Sequence, residues 1–332
     1  MNLRKRSRAL KAASLAMAGL MLSGCGLSSG SSLPLAVEPG IIQPVPELEG
    51  QTITVGSKNF TEQLIMGYLG EFALAAAGAN VRDLSSIQGS TTARNALTND
   101  QIDILWDYTG TSWVNYNGNT DPIPDARAQF EAVKKQDLER NGVAWVAVDY
   151  QVDNTYAFAV NQDAAQRLGV QKNSDIPKIM AEHPEDATFC VDTEFASRND
   201  GLPGVEETYG FKTDPSKVKV LTEGAIYQAT AQGTCTFGEV FTTDGRIKSL
   251  NLKVLADDKQ FFPRYNIGVT LRDEMLKRYP QLAQVFQPIS EKLTNEELMK
   301  LNAQVDVEGR DPADVARDWM AEQGLVKIPG QG

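Results

Sequence analysis

The feature that most constrains this 332-residue chain is an alternation of β-prone runs and amphipathic helical stretches, which begins at Thr52 and starts afresh near Val152, Asp153 and Asn154. Residues 52–55 (TITV) form a short strand-like run, followed by a turn at Gly56, Ser57, Lys58 and Asn59. Thr61, Glu62 and Gln63 open a helix in which Leu64, Ile65, Tyr68, Leu69 and Phe72 make one apolar stripe, and Gly78 ends it. A second strand is expected over 81–87, then a short helix capped by Ser90 or Thr91, then a strand running into Asp107. A loop at 117–125, a charged helix over 126–141 and a strand at 144–148 complete this first unit. This β-α order is that of a parallel sheet with covered faces. After the restart, strands are expected at 155–160, 188–191, 217–221 and 236–241. Beyond Asp257 come a strand at 267–271 and mostly helices, which need the first unit to cover. The chain therefore crosses between two lobes twice, near 150 and near 255. Lobe 1 is 51–152 plus 256–332, and lobe 2 is 153–255.

Within this frame, residues 103–113 (DILWDYTGTSW) concentrate chemistry at a strand end. Ile102, Ile104 and Leu105 read as a buried strand, and Trp106 and Tyr108 flank the carboxylate Asp107. Thr109 is a helix N-cap type, and Gly110 lets another group come close. Open α/β sheets bind small molecules at this carboxyl edge.

The first 25 residues read as a leader. Arg4, Lys5, Arg6, Arg8 and Lys11 precede an apolar run over 12–22, too short for a membrane span of about 20 residues. Leu22-Ser23-Gly24-Cys25 resembles a bacterial lipobox, so Cys25 is expected to carry lipid on the mature N-terminus. Removing the five cations takes the net charge from −11 to −16, which speaks against a nucleic-acid partner. Residues 26–50 are rich in Ser, Gly, Pro and Leu and read as a flexible tether. The expected location is extracytoplasmic, anchored to the cell membrane. Cys190 and Cys235 remain as an even pair for an oxidising compartment and are expected to form a disulfide.

Six stretches point the same way: GSKNFTEQ at 56–63, WDYTGT at 106–111, NTYAFAV at 154–160, EFASRNDGLPG at 194–204, FTTDGRI at 241–247 and FFPRYN at 261–266. In this order they resemble the osmoprotectant-binding proteins of ABC transporters, of the ProX/OpuC type. That resemblance covers about 52–325. It implies a type II periplasmic binding protein fold of two α/β lobes with a two-strand hinge. It implies a quaternary amine ligand such as glycine betaine, choline, carnitine or proline betaine, and a membrane permease as partner. By motif, the aromatic cage resembles Tyr108, Tyr156, Phe241 and Tyr265, with Phe241 where the family usually has tyrosine. The group that holds the ligand carboxylate resembles Lys58, Thr111 and Arg198. A trimethylammonium has no N–H to donate, so ring faces suit it through quadrupole attraction and methyl packing.

Two other readings fit this fold class less well. A receptor of this fold for a polyamine would surround amines with carboxylates, whereas Lys58 and Arg198 make a cationic clamp; an aromatic ligand is the other variant. A hydrolase needs a base beside a nucleophile. The single histidine, His183, lies in the polar run AEHPED; the one Gly-x-Ser-x-Gly match, GLSSG at 26–30, falls in the expected tether and not between a strand and a helix, and the chain has no P-loop or metal-spaced His/Cys cluster. No enzyme activity, metal or cofactor is expected, and a monomer is.

Overall fold

The computed structural model describes residues 33–330. The leader and Cys25 lie outside them. Two five-stranded sheets form the core. The first uses β2 (Thr52–Lys58), β3 (Asn80–Ile87), β4 (Ile104–Tyr108), β5 (Val143–Asp149) and β11 (Ile267–Arg272), in the order β3-β2-β4-β11-β5. The second uses β6 (Tyr156–Val160), β7 (Phe189–Val191), β8 (Val218–Val220), β9 (Phe237–Phe241) and β10 (Lys253–Val254), in the order β10-β6-β9-β7-β8. The protein is thus a two-lobed α/β fold, and the chain passes between sheets at 149–156 and 254–267.

The first lobe begins as its periodicity requires. β2 is parallel to β3 and to β4, and its side chains beyond Thr52 are all buried, as befits a central strand covered on both faces. Helix Thr61–Ala76 covers it, with Ile65, Met66, Leu69 and Phe72 fully buried. The helix Ala126–Asn141 starts at Asp125, whose carboxylate accepts from the Ala128 N–H at 2.8 Å, and stops at Gly142 with φ of 63°. Two local expectations differ. Gly89, with φ of 85°, precedes helix Ser90–Thr98 in place of a Ser or Thr side-chain cap. Thr109 does not cap a helix either: its buried hydroxyl donates to the Arg264 carbonyl at 2.9 Å and accepts from Gln129 and Asn266.

β11 is the long-range element. It inserts antiparallel between β4 and β5, so the strand next to the WDY segment comes from the far end of the chain. The helices Leu282–Ser290, Asn295–Asp306 and Pro312–Glu322 then pack on helix Thr61–Ala76. The two crossing segments bind each other: the Tyr265 N–H donates to Asp153 Oδ1 at 2.8 Å and Arg264 pairs with Asp153 at 2.9 Å.

The expected tether needs correcting from Glu38 onward. β1 (Glu38–Pro39) pairs antiparallel with β12 (Val326–Lys327), and Ile42 and Leu48 are buried against the first lobe. Irregular sequence hid this because the segment has no period of its own and takes its partners from the other end of the chain. Cys190 and Cys235 are joined by a disulfide with Cα atoms 5.7 Å apart.

Candidate ligand-binding site

β4 and β9 both end at the cleft between the sheets. β6 and β11 run against those neighbours, so they begin at the same edge. One geometry thereby brings strand ends and strand starts to one place. A cavity of about 560 Å³ lies there, lined by residues of both lobes. Each of the seven residues expected from the sequence lines it: Lys58 at the end of β2, Tyr108 at the end of β4, Thr111 just after, Tyr156 at the start of β6, Arg198 in the loop after β7, Phe241 at the end of β9 and Tyr265 before β11.

The rings meet for identifiable reasons. Tyr156 and Phe241 are directly opposed across the β6–β9 ladder, which puts their centroids 5.1 Å apart. Tyr265 stands edge-on to Tyr156 at 5.4 Å and 82°. It lies against Gly110, where an added Cβ would sit 2.7 Å from the ring. The close approach that Gly110 permits is therefore made by Tyr265. A fifth ring, Phe60, bridges the two lobes, stacked at 6.2 Å on Tyr108 and at 5.4 Å on Phe241. The sequence reading missed Phe60. It stands inside the GSKNFTEQ motif, and an apolar ring in a polar turn was the available signal.

The cations at the cavity are already paired. Lys58 Nζ donates to Asp107 Oδ1 at 2.8 Å and lies 5.1 Å from the Tyr108 centroid. Arg198 donates from Nε to Asp200 Oδ1 at 2.8 Å and from Nη2 to Asp200 Oδ2 at 2.5 Å. Its Nη1 donates to Glu194 Oε2 at 3.1 Å, and its carbon Cζ lies 5.7 Å from the Tyr156 centroid. Asp200 also accepts from the Tyr265 hydroxyl at 2.5 Å. The Arg198 fork is thus held by Asp200, two residues further along the chain. Glu194 crosses the cleft to the first lobe, where its carboxylate accepts from the Ser90 N–H and from Ser90 Oγ. Burial opposes its ionisation, but Lys58, Arg198 and the Ser90 donors outweigh that and hold the carboxyl below its usual range.

Behind the rings sits Glu62, fully buried at the head of the long helix. Its Oε1 accepts from Tyr108 Oη at 2.7 Å and from Asn154 Nδ2 at 2.9 Å; its Oε2 accepts from Thr243 Oγ1 at 2.5 Å and from Asn302 Nδ2 at 3.1 Å. Burial raises its pKa, and these four donors work against the rise. Burial likewise pushes the hydroxyls of Tyr108, Tyr156 and Tyr265 well up, so all three stay protonated phenols. The one His/carboxylate group among the described residues close enough to share a metal ion is His183, Glu185 and Asp186, which do not line the cavity. The arrangement presents ring faces with paired charges around them, which can hold a diffuse, poorly hydrated cation.

Comparison with known proteins agrees. Residues 51–322 match the family model of the substrate binding domain of ABC-type glycine betaine transport system. A glycine-betaine-binding protein of Pseudomonas aeruginosa is 37% identical over 283 residues, covering 84% of this chain and 90% of the relative. The carnitine transport binding protein OpuCC of Listeria monocytogenes is 31% identical over 279 residues, covering 83% and 88%. The solved structure of apo YehZ from Escherichia coli superposes with a TM-score of 0.60 at 30% identity, covering 82% of this chain and 99% of that one. The chain belongs to the family of substrate-binding domains of ABC-type glycine betaine transport systems.

Proposed function

We propose that this protein captures glycine betaine or a related quaternary amine (choline, carnitine or proline betaine) between its lobes and delivers it to the permease of an ABC importer. The observation that carries the reading is the convergence of Tyr108, Tyr156, Phe241 and Tyr265, drawn from both sheets, on one cavity. The ammonium head sits among these rings, each contributing about 0.5–2 kcal/mol when desolvated. Lys58, Thr111 and Arg198 hold the carboxylate of a zwitterionic ligand. Their protein partners make this an exchange: the ligand oxygen takes N–H donors that Asp107, Asp200 and Glu194 leave free. Lysine brings three donors and arginine five, so the pairs described above do not exhaust them.

Lobe 1 is 51–152 plus 256–332 and lobe 2 is 153–255. A ligand that binds rings from both favours the closed form by its differential affinity for it. The protein works outside the cytoplasm as a monomer, held to the membrane by lipid on Cys25. It has no nucleic-acid partner and catalyses no reaction.

Isothermal titration of the mature domain tests this. Glycine betaine or choline gives binding heat, and Tyr108→Ala strongly weakens it. Arg198→Ala weakens glycine betaine more than choline, because choline has no carboxylate. Absence of heat with every quaternary amine rejects the ligand class.

A further inference from the structure

Four hydrogen bonds converge on Glu62, and in every one of them Glu62 is the acceptor. The amide N–H groups of Asn154 and Asn302 can only donate, one to each carboxyl oxygen, and donors so placed favour the ionised carboxylate against the burial that opposes it. All four partners are neutral, and among the described residues no cation pairs with it. The contrast with its neighbours is informative. Asp107 spends its charge on Lys58, and Asp200 on Arg198. Both cations in turn lie near cage rings, at 5.1 Å from Tyr108 and 5.7 Å from Tyr156. Two carboxylates accept from cage hydroxyls, Asp200 from Tyr265 and Glu62 from Tyr108. Only the second carries charge that no cation offsets.

An unpaired buried carboxylate is expensive, since burial alone favours replacing it with a neutral group. Its position shows what the charge does. It stands directly behind the Tyr108 hydroxyl, and a phenol that donates to a carboxylate carries more electron density in its ring. It also adds a negative field to a site from which water is excluded.

We propose that Glu62 is a positioning residue for the cage: it orients Tyr108 and supplies the negative charge that makes the cavity select a cation over a neutral group of the same shape. This rests on the quaternary amine reading above. Because its partners include Thr243 of the second lobe and Tyr108 and Asn302 of the first, the charge is fully enclosed only when the lobes meet.

The test compares charge at constant shape. The mature protein is titrated with glycine betaine, with choline, and with their isosteres in which a tert-butyl group replaces the trimethylammonium. Glu62→Gln keeps the shape and removes the charge. It is expected to narrow the preference for the ammonium over the tert-butyl compound by about tenfold. Glu62→Asp is expected to restore most of that preference. Tyr108→Phe, which keeps the ring and cuts its bond to Glu62, is expected to narrow it about threefold and serves where Glu62→Gln does not fold. Equal losses for charged and neutral ligands in these variants overturn the proposal and leave Glu62 as packing between lobes. If the wild-type protein binds neither quaternary amine, the proposed function falls and this inference with it.

Discussion

Glu71 offers a sharp check of the physical picture. It lies on the helix Thr61–Ala76, is 0% exposed, and neither of its carboxyl oxygens receives a donor from the described residues. Burial, together with the Asp83 carboxylate on β3, pushes its pKa from 4.5 up to about 9. The folded protein therefore holds a proton there that the unfolded chain releases. This contribution to stability is fully present below pH 4.5 and is lost as pH rises through about 9. Each pH unit in that window costs about 1.4 kcal/mol. The cost is thus about 1 kcal/mol at pH 5.5 and about 5 kcal/mol at pH 8.5. Glu71→Gln keeps the shape and cannot ionise, and its amide can donate to Asp83. The variant should melt near the wild-type temperature at pH 5.5 and about 10 °C above it at pH 8.5. Thermal unfolding of both proteins across that range is the assay. A difference in melting temperature that stays constant with pH refutes the reasoning, because a packing effect alone has no such slope.

Two further outcomes are expected. Gly110→Ala places a methyl 2.7 Å from the Tyr265 ring and 2.9 Å from the Arg264 carbonyl, so the ring must leave its place; affinity for glycine betaine or choline should fall about tenfold or more and stability by about 1–3 kcal/mol, read by calorimetry and melting. The Cys190–Cys235 bridge spans a sequence separation of 45. Closing such a loop is worth about 4 kcal/mol, so the Cys190→Ser, Cys235→Ser pair should melt roughly 10 °C lower, and intact mass should rise by two hydrogens on reduction. An unchanged mass refutes the bridge.

Several features were legible because they are local. The apolar stripe Ile65, Leu69 and Phe72 has the period of a buried helix, and Asp125 and Gly142 mark the ends of the charged one. The alternation of runs places the lobe restart near 150, where the chain leaves the first sheet. Motif identity picked out Lys58, Tyr108, Thr111, Tyr156, Arg198, Phe241 and Tyr265, all of which line one cavity. Other features have no local signal. Residues 38–48 look like linker, and only β12, at the opposite end of the chain, makes Glu38 and Pro39 a strand. Glu62 reads as an ordinary acid in a first helical turn, where negative charge suits the helix dipole. Its role appears only when Asn154, Thr243 and Asn302 close around it.

From the sequence alone came the class of fold, the two-lobe order and the kinds of side chain available to a methylated cation. Tertiary structure decided their company: that Phe60 joins the rings, that Asp107 and Asp200 take up Lys58 and Arg198, and that the carboxylate behind Tyr108 has no cation partner among the described residues. The reason is physical. Periodicity records which face of an element is buried. Electrostatics at a cleft depends on distances between groups far apart in the chain, and only the closed fold sets those distances.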